Sequence, residues 1–72
     1  MIMPFPILTE NAIQIAWDYL EGTGQIDDPE FTSWFLLNSV EKMVSDGEYR
    51  KLLLANKAIA AYERFRRERQ AA

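Results

Sequence analysis

Residues 31–40 read FTSWFLLNSV, and the way their side chains divide between neighbours decides the fold. Successive residues of a helix turn by about 100°, so Trp34, Phe35, Leu36 and Leu37 point all the way round. One companion cannot cover all four. Upstream, Asp28-Pro29-Glu30 combines a capping aspartate, a proline suited to the first helical position and an acid in the first turn. Downstream, Asp46-Gly47 closes the segment. A helix over about 29–45 follows, with Leu36, Leu37, Val40, Met43 and Val44 on one continuous face. Phe31, Trp34 and Phe35 stand on the opposite side of its first half, and Asn38, Lys42 and Ser45 continue that side.

Two further helices flank this one. Ile13, Ala16, Trp17 and Leu20 have amphipathic helical spacing; Thr9 is the expected N-cap and Gly22 the left-handed stop, which predicts a helix over about 10–21. After Gly47 no glycine or proline occurs, and the composition through Arg69 favours helix. A helix over about 48–69 is expected, with Leu52, Ala55, Ile59 and Tyr62 on one flank of its apolar arc and Leu54, Ala58, Ala61 and Phe65 on the other. As the longest of the three, it should overhang its partners and fray at its arginine-rich end. Pro4 and Pro6 disfavour helix in the residues before them, so residues 1–8 read as an extended apolar arm. The prediction is an all-α fold, a small three-helix bundle with an N-terminal extended arm, forming one domain over 1–72.

Composition narrows the function. The 72 residues contain no histidine and no cysteine. Histidine is the commonest general acid–base, and serine–histidine, cysteine–histidine and histidine- or cysteine-ligated zinc chemistries are excluded with it. Asp27, Asp28 and Glu30 do not match a calcium loop, and capping accounts for two of them. Gly22-Thr23-Gly24 lacks the strand, third glycine and lysine of nucleotide-binding loops. The chain is read as non-enzymatic, with no catalytic residue, metal site, cofactor or small-molecule substrate. No run is apolar enough to span a bilayer, and MIMPFPIL lacks the basic start and length of a secretory signal. The cytosol is the expected compartment, without membrane contact.

Charge is unevenly distributed. Residues 1–48 hold nine carboxylates and one lysine, net −8, whereas residues 49–72 hold seven Lys/Arg and two glutamates, net +5. An acidic head and basic tail suit packing within the chain, head-to-tail contact between copies, or an anionic ligand at the tail. Arg64, Arg66, Arg67 and Arg69, with Phe65 among them, form a candidate anion or nucleic-acid contact. The acidic remainder opposes a nucleic-acid partner.

Phe31, Trp34 and Phe35 are the candidate protein interface. Either the arm, with Phe5, Ile7 and Leu8, and helix one cover them, or another chain does, since aromatic residues are enriched in interface cores. The reading that follows is a small interaction or regulatory module, self-associating as a homodimer or binding a heterologous protein through this face. Nucleic-acid binding through the arginine end is the alternative.

Overall fold

The computed structural model describes residues 4–71, with side chains over 7–70. Three helices, α1 (Pro4–Gly22), α2 (Pro29–Ser45) and α3 (Lys51–Ala71), pack mutually, with no strand among the described residues. The all-α three-helix architecture matches the sequence reading, and the bounds of α2 coincide with it.

The reason for that agreement is local. Asp28 takes an extended backbone, its side chain accepts the Phe31 N–H at 3.2 Å, and its carbonyl accepts the Thr32 N–H at 2.9 Å, with Pro29 at the first helical position. At the other end, Gly47 adopts φ +102°, its N–H reaches the Val44 carbonyl at 3.0 Å, and the Glu48 N–H reaches the Met43 carbonyl at 2.9 Å. That paired closure consumes two carbonyls the helix would otherwise leave bare.

The other helices differ from expectation. The extended arm is not extended over residues 4–8: α1 begins at Pro4, and residues 1–3 lie outside the described residues. Two prolines fit there because the first four N–H groups of a helix have no intrahelical acceptor, so Pro4 and Pro6 forfeit nothing in the first turn. Thr9, expected as the cap, is instead buried within the helix. The left-handed stop is Gly24, at φ +70°, and Gly22 is the last helical residue. The Gly24 N–H reaches the Glu21 carbonyl at 3.1 Å and the Gln25 N–H the Leu20 carbonyl at 2.8 Å, the same closure as at Gly47.

Helix α3 starts three residues later than expected. Glu48 is held by the turn closure, and its carboxylate accepts the Arg50 N–H at 3.0 Å, while the Arg50 carbonyl accepts the first helical bond from Leu54 at 2.9 Å. Helix α3 is still the longest of the three, with 21 residues against 19 in α1 and 17 in α2. At about 1.5 Å per residue the three rods are roughly 28, 26 and 32 Å long.

One core holds them together. Ala12, Ala16 and Leu20 of α1, Leu36, Val40 and Val44 of α2, and Leu54, Ala58 and Tyr62 of α3 form its centre. Each fully buried leucine contributes about 1.5–3 kcal/mol, and the alanines keep the facing helix surfaces narrow enough for close approach. Ile13, Trp17, Met43 and Ile59 pack around it half-buried. Leu37, Leu52 and Ala61, all expected inside, are exposed instead. Leu37 falls on the solvent side because α2 turns Thr32, Leu36 and Val40 inward. Asn56 is exposed, a wet edge position.

Candidate functional site: an aromatic and arginine cleft at one end of the bundle

Tyr62 and Phe65, three residues apart on α3, face the same way and meet the aromatic start of α2. Phe31 and Phe65 lie 5.1 Å apart between ring centroids, tilted by 30°, and Phe35 meets Phe65 at 5.5 Å and Tyr62 edge-on at 5.5 Å and 76°. Tilted and edge-on pairs of this kind add about 0.5–1.5 kcal/mol beyond their buried area. This corrects the expected cover: Phe31 and Phe35 are half-buried against α3, and the chain supplies that cover from the segment read as a basic tail. The Phe5 side chain, part of the expected arm, lies outside the described residues.

Trp34 is placed differently. Its ring stands 5.9 Å from that of Phe31, yet the residue is 59% exposed. Asn38 donates to its carbonyl at 2.8 Å. Leu37, one turn on, is exposed with it, so the outward face of α2 keeps an apolar patch open to solvent. Glu30 and Glu41, four residues before and seven after Trp34, are exposed on that same face.

The aromatic pairing leaves an open cleft of about 420 Å³ at this end of the bundle. Phe31, Tyr62 and Phe65 supply its rings, Asp27 and Asp28 its acidic wall, and Arg66, Arg69 and Gln70 the opposite wall. Arg66 binds Asp27 at 3.0 Å, with the guanidinium side chain 23% exposed. The Arg69 guanidinium carbon lies 5.7 Å from the centre of the Phe65 ring, a cation–π arrangement. Two of the four arginines singled out by sequence, Arg66 and Arg69, therefore share the cleft with Phe31. Arg64 and Arg67 are exposed and do not line it, so the basic cluster is divided between two sides of α3.

Beneath the cleft lies a polar network that sequence reasoning missed. Tyr62 Oη donates to the Gln25 carbonyl at 3.1 Å, which leaves Thr32 Oγ1 to donate to Tyr62 Oη across 2.8 Å. Thr32 and Tyr62 are both buried. Gln25 Nε2 also donates to Glu63 at 2.9 Å and to Thr23 at 2.8 Å. Two signals pointed to it: a tyrosine on a core arc needs a partner for its hydroxyl, and Thr32 is four residues before Leu36. No buried polar side-chain atom among the described residues lacks a partner.

No group of three or more acidic, histidine or cysteine side chains able to hold a metal ion occurs among the described residues. Among the described residues no helix is long and apolar enough to cross a membrane. Comparison with known proteins adds no relative: no family model, curated protein or solved structure matches the chain.

Proposed function

We propose that the protein is a small, non-enzymatic interaction module of the cytosol that self-associates through the outward face of α2, centred on Trp34. The observation that carries this reading is the 59% exposure of Trp34 beside an exposed Leu37, while its neighbours Phe31 and Phe35 are engaged within the chain. A tryptophan left wet in so small a domain forgoes burial that a partner surface supplies, and tryptophan is the residue type most enriched among interface hot spots. A second copy is the simplest partner, because closed two-fold assemblies are the commonest oligomers.

Nucleic-acid binding through the arginines has less support. Arg66 is neutralised by Asp27, Arg69 lies over Phe65, and only Arg64 and Arg67 point elsewhere. At low salt, where the phosphate contribution is largest, a filter-binding titration should retain no nucleic acid.

Sedimentation equilibrium tests the main reading. The wild-type chain should reach a dimer within the micromolar range, and Trp34→Ala should weaken association by more than about 1.5 kcal/mol while leaving the thermal midpoint of the monomer nearly unchanged. A chain that stays monomeric to high micromolar concentration removes the proposal.

A further inference from the structure

We infer that the cleft between the start of α2 and the end of α3 is a receptor for an indole ring, and that its occupant is Trp34 of a second copy of this chain. The inference rests on the self-association reading and names the surface that receives the exposed tryptophan.

The cleft has the chemistry an indole requires. Phe31 and Phe65 offer ring surface to a flat apolar body. Arg69 is already held over an aromatic face, and its carboxylate neighbours among the described residues lie outside salt-bridge distance. A second π-face on its open side completes a cation–π sandwich, for which tryptophan is the best partner. Asp28 spends Oδ1 on the Phe31 N–H, and its other oxygen has no partner among the described residues; an indole N–H is a donor without an acceptor of its own. The volume of about 420 Å³ lies within the usual span of ligand clefts, about 300–1,000 Å³.

Charge selects this arrangement over a symmetric pairing of α2 with its own image. The face around Trp34 carries Glu30 and Glu41, while Lys42 further along is paired with Asp46, so two such faces opposed would place like charges together. Set against the cleft, the same face meets the end of α3, where Arg64, Arg66, Arg67 and Arg69 outnumber Glu63 and Glu68, with Arg66 already paired to Asp27 of the acidic wall. Continuity supports it as well. Trp34 touches Phe31, and Phe31 lines the cleft, so ring and receptor are adjacent. A two-fold axis passing between them carries each Trp34 into the other copy's cleft, giving a closed dimer with two equivalent contacts.

That reciprocity makes the inference testable by complementation. Arg69→Glu alters an exposed residue of the cleft and leaves Trp34 intact; Trp34→Ala removes the ring and leaves the cleft intact. Circular dichroism establishes that both fold. Each variant alone should self-associate at least about tenfold more weakly than wild type in sedimentation equilibrium. Mixed in equal amounts, they should form a heterodimer more stable than either homodimer, because one intact ring then meets one intact cleft. If Trp34→Ala weakens the dimer but Arg69→Glu does not, and mixing restores nothing, the cleft assignment is overturned while self-association stands. A monomeric wild type overturns both.

Discussion

The two ends of the bundle are built from the same turn and secured in different ways. Where α1 passes into α2, Gly24 closes the helix, and the loop beyond it is bound to α3 by side chains distant in sequence: Tyr62 to Gln25, Gln25 to Glu63, Arg66 to Asp27. Where α2 passes into α3, Gly47 makes the same closure, and Glu48 bonds to Arg50, two residues along. Nearby Leu52 is 64% exposed. The loop at the first end is tied to a distant helix through Gln25 and Asp27, whereas Glu48 at the second end bonds within its own turn. A cleft with defined walls needs the first kind of end, since its two sides come from different helices and must be held at one separation.

The largest expected effect separates the ends directly. Tyr62→Phe keeps the ring and deletes the hydroxyl, leaving the Thr32 hydroxyl and the Gln25 carbonyl without their partner inside the protein. An unsatisfied buried polar group costs about 1–3 kcal/mol, so urea denaturation should show a loss of about 2 kcal/mol. At the opposite end, Leu52→Ser should change stability by no more than about 0.5 kcal/mol, as exposed substitutions usually do. Equal losses from the two variants would erase the distinction between the ends.

A middle-sized effect sharpens the comparison. Gly24 and Gly47 both have positive φ, and a Cβ added at either meets nothing within 4 Å. The cost of alanine is therefore conformational alone, about 1–2 kcal/mol at each site. Near-equal losses in thermal denaturation of Gly24→Ala and Gly47→Ala would locate the difference between the ends in their tertiary bonds. A loss at Gly24 several times larger would mean instead that the network around Gln25 depends on the turn itself.

The same distinction explains what could be read from sequence. Asp28-Pro29 and Asp46-Gly47 are local instructions, and α2 begins and ends where they say. The core positions Leu36, Val40, Leu54 and Ala58 followed from helical spacing. The start of α1 was misread because a proline is a helix breaker everywhere except the first turn, and sequence alone did not reveal that Pro4 opens that turn. The start of α3 was misread because Glu48, Tyr49 and Arg50 are not strong breakers; the carboxylate of Glu48 takes the Arg50 N–H before the helix begins. The aromatic row and the arginine tail were each visible. That Phe65 would leave the tail and join Phe31 and Phe35 was not, because periodicity gives the face of a helix but not the partner that face meets.

The smallest effect lies at the locally secured end and depends on pH. Hydrogen bonds from the Arg50 guanidinium, then from its backbone N–H, hold the Glu48 carboxyl at about 2, well below its ordinary value of 4.5, and the same contact raises Arg50. A carboxyl whose folded value is depressed adds stability that is fully present above pH 4.5 and disappears as the pH falls through about 2. Glu48→Gln removes the titrating group, so the variant should lose less stability than wild type between pH 5 and pH 2 when both are unfolded in urea. The difference should be slight, since Arg50 is largely in solvent and exposed pairs contribute little. Added salt should shrink it further. If both chains lose the same stability over that interval, the Glu48–Arg50 contact does not persist in solution and contributes nothing to the connection from α2 to α3.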